Sequence, residues 1–200
     1  KYLSDFGRER LINGQAEDSL RIASIDIGGG TTDLMITTYY DPTESDVIHP
    51  IQEFREGFRT AGDDILYGII KDALIPGLIK HLDKYGASNA AMASANFFQS
   101  VDDAMSGSKS NFANSILVPA AISILSQFEK SDTSIGVVTI GDPAEYNQNV
   151  FKNMLCDLAK SAGLADWPSA PIEFEVSFPQ FKAIVDNVLS RVVRNITLAI

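Results

Sequence analysis

Asp26-Ile27-Gly28-Gly29-Gly30-Thr31-Thr32-Asp33 is the stretch that decides the fold. It lies between two strand-like runs, Arg21–Ile25 (RIASI) and Leu34–Tyr40 (LMITTYY), so the local order is strand, tight glycine turn, strand. Three successive glycines permit φ > 0 and leave no Cβ between the amides and a ligand. Successive N–H groups in such a turn form a nest for an anion. Thr31 and Thr32 add hydroxyl donors, and Asp26 and Asp33 set a carboxylate at each end. A carboxylate beside a phosphate cradle is unfavourable unless a cation such as Mg²⁺ lies between them, or unless it orients a water. The pattern therefore reads as a hairpin that holds a metal-bound polyphosphate. The competing reading is a plain hairpin turn, because Asp, Gly and Thr are ordinary turn residues. Three glycines exceed what a turn needs. No Lys-Ser/Thr follows them, which excludes a Walker A loop, and the strand that follows excludes a dinucleotide fingerprint.

Outward from the turn, Leu20–Ile27, Asp33–Tyr40 and Val47–Glu56 read as three consecutive strands, with Asp41–Asp46 as the second turn. Arg59-Thr60-Ala61-Gly62-Asp63-Asp64 then opens a helix on which Ile65, Leu66, Ile69, Ile70, Ala73 and Leu74 recur at helical spacing. Asp63 and Asp64 suit its positive end. Pro76-Gly77 is expected to break or kink it before Leu78–Tyr85. Residues 87–114 are rich in Ala, Ser and Asn and read as an insertion or mobile subdomain of one or two helices, broken near Ser106-Gly107-Ser108. Ile116–Phe128 reads as a buried helix, Ile135–Ile140 as a strand stopped by Gly141-Asp142-Pro143, and Gln148–Ala162 as a helix. Pro171–Val176 is a short strand. Ser177-Phe178-Pro179-Gln180 matches a capping box that opens a last helix, with Phe181, Ile184, Val185, Val188, Leu189, Val192, Val193 and Ile196 as its apolar stripe.

Composition narrows the function classes. The 200 residues are 45% hydrophobic and 21% charged, which describes a soluble globular protein. With 16 basic against 26 acidic residues, the net charge of −10 argues against nucleic-acid and anionic-membrane partners. No apolar run is read as approaching the ~20 residues of a membrane span. The single Cys156 cannot form an internal disulfide and suits a reducing compartment, so a cytoplasmic location is expected. Polar Lys1–Gln15 reads as an incoming loop or short helix. The chain opens on Lys1 without a Met and stops at Ile200 inside a helical pattern, and is read as a piece of a longer protein.

Other chemistry-bearing residues read as structure. His49 and His81 have no Cys or second His at zinc-ligand spacing. Asp102-Asp103 are adjacent on a helix and do not face each other, which favours solvation or capping. Glu173 and Glu175 alternate on one strand face, and Trp167 beside Pro168 reads as a core plug. Asn195-Ile196-Thr197 is a formal glycosylation sequon on the last helix, discounted for a cytoplasmic chain.

Taken together, these features resemble the actin/Hsp70/sugar-kinase ATPase superfamily. Asp26–Asp33 looks like its second phosphate-binding motif, and Ala61-Gly62-Asp63-Asp64 resembles the Hsp70 Gly-Gly-Glu-Asp segment at the head of a long helix. Phe174–Ile200 resembles the strand and helix that precede the adenosine motif. Within that group the wording SIDIGGGTTDLMIT, then FREGFRTAGDDIL, is most similar to the bacterial SrfB family of virulence factors. The resemblance implies an α/β, ribonuclease H-like or actin-like ATPase lobe over residues 1–200, with a mixed sheet, three leading antiparallel strands, flanking helices and a helical insertion.

It also implies ATP and Mg²⁺ as cofactors. Gly28, Gly29, Gly30, Thr31 and Thr32 would hold the β/γ-phosphates, with Gly62 and Asp63 at the cleft side of the next helix. Asp26 would be the acid near Mg²⁺ and its waters, and Asp33 the second acid near cations or the attacking water. This sequence departs from the family pattern at Ala61, where the motif has Gly, and at Asp63, where it has Glu. The superfamily's first phosphate motif and its Gly-Gly adenosine motif are not found in this chain. Weak or undetectable ATP binding is therefore expected of the chain in isolation, and ATPase activity of the full-length protein only.

Two function classes follow. One is a nucleotide-binding ATPase lobe. The other is a non-catalytic scaffolding or partner-binding protein on the same fold, with an unidentified protein partner. A kinase reading ranks third, since no sugar-site residues are recognisable.

Overall fold

The computed structural model describes residues 19–40, 49–99, 103–130, 134–141 and 149–199. The expectations for Lys1–Gln15, the Asp41–Asp46 turn, Asp102 and the Asp142-Pro143 stop lie outside them. The chain packs as two compact units, Lys1–Asp63 with Leu189–Ile200, and Asp64–Val188, where one lobe was expected. The physical basis is that the main apolar cluster lies wholly within the second unit.

In the first unit, β1 (Ser19–Ile27), β2 (Thr32–Tyr40) and β3 (His49–Phe58) form an antiparallel sheet in the order β1-β2-β3. Alternation explains its two faces, since Thr32 and Leu34 are fully buried while Asp33 and Met35, each following one of them, are half-buried. The register slips between Ile36 and Thr37: Ile36 opposes Phe54 and Thr37 opposes Gln52, leaving Glu53 as the extra residue of a bulge. Glu53 finds partners there, accepting a hydrogen bond from Thr38 Oγ1 at 2.6 Å and pairing with Arg21 Nε at 2.8 Å.

The second unit continues α1 (Gly62–Ile69) through a π-helical turn (Ile70–Leu74) into α2 (Ile75–Lys84). At Pro76-Gly77, where a break or kink was expected, the helix continues and a π turn precedes the proline. Proline lacks an N–H and its ring crowds the carbonyl four residues back, here that of Asp72. The wider π turn absorbs this, with Ile75 N–H reaching back to Ile70 O. The freed Asp72 carbonyl accepts Gln180 Nε2 at 2.8 Å. Gln180 therefore does not complete the expected capping box, although its N–H reaches Ser177 Oγ at 3.4 Å. The device recurs ahead of Pro119, where α4 (Asp103–Phe112) passes through a π turn (Ala113–Leu117) into α5 (Val118–Lys130). Val118 N–H reaches Ala113 O.

Helices α3 (Ala90–Gln99) and α4 occupy the stretch read as one or two helices of an insertion or mobile subdomain, residues 87–114. They contribute Ala90, Ala93 and Phe112 to the core, and α4 runs unbroken through Ser106-Gly107-Ser108. On α3 the small residues Ala90, Ala93 and Ser94 are buried. From Lys109 to Lys130 the chain forms one helix long and apolar enough to cross a membrane, with mean hydropathy 1.2. This departs from the expectation of no such run; Asn111, Asn114 and Ser115 interrupt the apolar residues of the segment. Its inner face, Phe112, Ile116, Leu117, Ala120, Ala121 and Ile124, is packed in the core.

Strand β4 (Ile135–Ile140) pairs with β5 (Ile172–Ser177), and α6 (Asn149–Ser161) lies between them in sequence. Ile140 opposes Ile172, so the chain returns to the end of β4 and the pairing is antiparallel. Both described sheets are thus antiparallel, where a mixed sheet was expected. The last helix, α7 (Phe178–Ala199), buries Ile184, Val188 and Val192 at four-residue spacing. Leu189 and Val193 are exposed, so its stripe is narrower than the sequence suggested. Trp167 is buried in the core and stacks on His81 at 5.7 Å between ring centroids.

Helical glycines in this unit make opposite demands. A Cβ on Gly77 would lie 2.6 Å from Cδ1 of the buried Phe174 ring, whereas one on Gly107 meets nothing within 4 Å. Gly77→Ala is expected to destabilise by about 1–3 kcal/mol through overpacking, outweighing a helix-propensity gain of about 1 kcal/mol. Gly107→Ala should be stabilising by up to about that gain. Thermal melts of the two variants should shift in opposite directions.

Candidate functional site

The glycine turn is built inside the first unit by contacts between Gly28–Thr31 and the segment Thr60–Asp63. Strand pairing ends at Ile27↔Thr32, and the loop is closed by Gly28 N–H donating to Thr31 O at 2.8 Å. Thr32 is fully buried, and its Oγ1 donates to Thr60 O at 2.7 Å. That hydroxyl pins the approach to α1, so Thr32 is a structural residue rather than the phosphate donor expected. Thr31 and the three glycines are exposed.

The first amides of α1 hold the turn. Gly62 N–H donates to Gly28 O at 3.0 Å, and Asp63 N–H donates to Gly29 O at 2.7 Å. In a planar trans peptide, C=O and the following N–H point in opposite directions. With the carbonyls of Gly28 and Gly29 aimed at α1, the N–H groups of Gly29 and Gly30 are aimed away from it. Two successive N–H groups thus share one outward direction, which is the arrangement of an anion nest. Gly62 was expected at the cleft side of the helix as a cofactor-binding residue; its amide is engaged by the turn, and it acts by orienting the peptide planes. A Cβ on Gly62 would come within 3.3 Å of Gly28 O, so the close approach of helix to turn explains this glycine.

The three turn glycines do not serve the conformational purpose expected of them. Gly86 and Gly163 are the positive-φ glycines among the described residues. Gly28 is explained by crowding, since its Cβ would sit 3.3 Å from Thr31 O. Gly29 and Gly30 are not explained this way. A Cβ on either would meet just the Asp63 carboxylate, at 3.4 and 3.7 Å, which is ordinary contact. The fold tolerates a side chain at both positions and yet carries none.

Asp26 and Asp33 are direct cross-strand partners and so share one face of the sheet. Asp33 leans toward β3: its Oδ1 is 3.8 Å from Arg55 Nη2, and a Cβ on Gly57 would lie 3.4 Å from that oxygen. Asp26 is exposed, with no ion-pair partner among the described residues. Among those residues no three His, Cys, Asp or Glu side chains converge closely enough to ligate a metal directly. Such an acid pair suits a cation held through its waters. Arg55 was missed from sequence. Once the β3 register is fixed, alternation places it with Gly57 on the face of Asp33.

A separate titrating pair lies in the second unit. Cys156 on α6 donates its thiol to Asp166 Oδ1 at 2.9 Å, and the same oxygen accepts Trp167 N–H at 2.8 Å. The Cys156 hydrogen bond, then the Trp167 N–H, hold the Asp166 carboxyl below its usual range. The bond to Asp166, then burial, pushes the Cys156 thiol up. The stabilisation linked to Asp166 is present above its unfolded pKa and is lost as pH falls through the depressed value. That linked to Cys156 is present below the unfolded thiol pKa and is lost as pH rises through the raised value. Alkylation of native Cys156 at about pH 8 should therefore be slower than in the unfolded chain, and Asp166→Asn should accelerate it. Equal rates in wild type and variant would show that Asp166 does not hold the thiol proton.

A comparison with protein-family models matches residues 3–197 to the family described as Virulence factor SrfB. A search of curated proteins finds no match. The family match spans nearly the whole sequence, including the glycine turn and the helix that orients it, and the chain belongs to the SrfB virulence factor family.

Proposed function

We propose that the Gly28–Thr31 turn binds the β/γ-phosphates of ATP, with Mg²⁺, as one wall of an actin/Hsp70-type ATPase site. The observation that carries the reading is the pair Gly29 and Gly30. Their N–H groups point outward together, and the fold itself gives no reason for the missing side chains. Glycine costs about 0.5–1 kcal/mol relative to alanine where nothing requires it. A ligand approaching the backbone closely supplies the requirement.

The residues present fit such a group. Gly29 and Gly30 N–H would hold phosphate oxygens, with the exposed Thr31 beside them as a further donor. When bound, Mg²⁺ supplies charge neutralisation between the phosphates and the acids. Asp26 and Asp33 would position its waters, and Asp33, fixed by Arg55, would orient a water for hydrolysis. This chemistry relies on positioning and electrostatics, with no covalent step on the protein. A partner-binding role is favoured by one observation: Ile22, Ile25 and Ile27 are exposed on β1, whose outer edge pairs with no described strand. That role does not account for the glycines or the opposed acids.

Calorimetry with Mg-ATP and with ADP, on this chain and on the longest natural form of the protein, tests the reading. Gly29→Ala and Gly30→Ala should leave the melting temperature nearly unchanged while weakening Mg-ATP binding about tenfold or more, or roughly 1.4 kcal/mol. Asp26→Ala should abolish Mg²⁺-dependent hydrolysis with the fold intact. Absence of Mg-ATP binding to either form would leave the turn as architecture and favour the scaffold.

A further inference from the structure

We propose that Gln127 is a latch on the free edge of β4, and that the released edge pairs antiparallel with β4 of a second copy of this chain. The proposal is independent of the phosphate reading and concerns the second unit alone. β4 pairs with β5 along one edge, and its other edge pairs with no described strand. At the middle of that edge the carboxamide of Gln127, on α5, takes the place of a peptide. Its Oε1 accepts Val137 N–H at 2.9 Å, and its Nε2 donates to Val137 O at 2.9 Å. One side chain thus satisfies both backbone groups of one residue, as a neighbouring strand would. Nε2 also lies 3.5 Å from Ser123 Oγ, one turn back on α5.

The edge under this latch has the chemistry of a strand template. Backbone groups alternate along a strand, so Ile135 and Thr139 present their N–H and C=O on the same side as Val137. Ser134 obeys the alternation, since its carbonyl turns to the β5 side and accepts Phe178 N–H at 2.8 Å. Ile135 and Val137 are exposed apolar side chains. Edge strands are commonly protected by proline, charge or a bulge. Ile135–Ile140 (IGVVTI) has no proline and no charged residue, and its register with β5 runs without a shift. Gln127 is the protection this edge has.

The geometry of the edge fits a second copy. A two-fold axis normal to a sheet keeps each face on its own side, so a strand can pair with itself about any one residue. Centred on Val137, the pairing sets Val137 against Val137 of the second copy and Ile135 against Thr139 of the second copy. These are the outward-facing residues, so each facing pair can exchange both of its N–H···O bonds. All three are β-branched, the type that packs well across strands. Such a contact uses the same patch on both copies and closes at a dimer. The chain carries a net charge of −10, and an uncharged strand is a place where two copies can meet without opposing acids. Glu173 and Glu175 stay one strand away, on β5. An open hollow of about 490 Å³ along α5, lined by Pro119, Ile122, Ser123, Ser126, Gln127 and Lys130, gives the displaced Gln127 side chain room to swing out.

Sedimentation velocity over a concentration series, on wild type, Gln127→Ala and double variants, tests the proposal. Gln127→Ala should dimerise about tenfold or more tightly than wild type. Hydrogen exchange at Val137 N–H should be fast in the dilute variant, which lacks the latch, and slow again in its dimer. Adding Val137→Pro to Gln127→Ala removes the N–H at the two-fold centre without taking a bond from the monomer, and should abolish the dimer. Adding Val137→Lys instead sets like charges opposite each other at that centre and should have the same effect if proline is not tolerated. Melting curves check that each variant folds. A folded Gln127→Ala protein that associates no more tightly than wild type would overturn the proposal. So would a dimer that survives both Val137 substitutions, or open-ended aggregates in place of a closed dimer.

Discussion

Two backbone hydrogen bonds, from Gly62 N–H to Gly28 O and from Asp63 N–H to Gly29 O, are the constraint on which the candidate site depends. Each contributes about 0.5–1.5 kcal/mol net, a modest amount. Their larger effect is directional. A loop of three glycines has many conformations open to it, and the entropy of fixing it is high. Anchoring two consecutive carbonyls on the head of a helix fixes two peptide planes at once and leaves their N–H groups parallel. The buried Thr32 hydroxyl, bonded to Thr60 O, keeps the segment before the helix in place so that the anchoring can occur. The helix contributes by orienting the turn, where a simpler picture would have its own N-terminus contact the anion.

How legible this was in the sequence depends on the range of the interaction. The three strands and the turn were readable because β-propensity, alternation and glycine are local signals, and β1 and β2 fall within a residue of their expected limits. The Asp26–Asp33 pairing was also implicit, since a hairpin whose loop is Gly28–Thr31 must place them opposite each other. The role of Thr32 was not readable, because a threonine in a turn motif carries no sign of whether its hydroxyl faces a ligand or a carbonyl 28 residues away. Glycine was read both as a φ > 0 residue and as clearance for a ligand; the turn does not use positive φ, and crowding by the fold accounts for Gly28 alone. Arg55 needed the register of β3, and the bulge at Glu53 set that register.

Outside the site, the misreadings share one cause. A break or kink was expected at Pro76-Gly77 because proline's local cost is high, about 3 kcal/mol in a helix interior, and Pro119 lies inside the expected helix Ile116–Phe128 at the same cost. In both places a π turn two residues ahead removes the steric conflict and leaves carbonyls without a helical donor. At Asp72 the missing donor is supplied by Gln180, far along the chain, and no window centred on Pro76 contains it. The Ala/Ser/Asn-rich stretch was likewise judged by composition as loosely attached. It nevertheless supplies core residues, Ala90 and Ala93 from α3 and Phe112 from α4.

Where a sequence departs from local rules without structural compensation, function is the usual reason. This chain concentrates three such departures in one place. Gly29 and Gly30 lack side chains the fold would accept. Asp26 and Asp33 oppose each other as like charges, an arrangement that costs about 0.2–1 kcal/mol, and Arg55 offsets it for Asp33 alone, at 3.8 Å. Asp63 adds a third carboxylate beside the same turn, although Asp64 would satisfy the helix. Each could be neutral drift if it stood alone. Their coincidence at a turn whose N–H groups are held outward is harder to explain without a ligand that is both anionic and cationic in parts. The metal-complexed polyphosphate proposed above would have both parts, oxygens for the amides and a cation for the acids. Glycines alone would fit any anion, and acids alone any cation. Their combination at one turn narrows the chemistry further than either motif does.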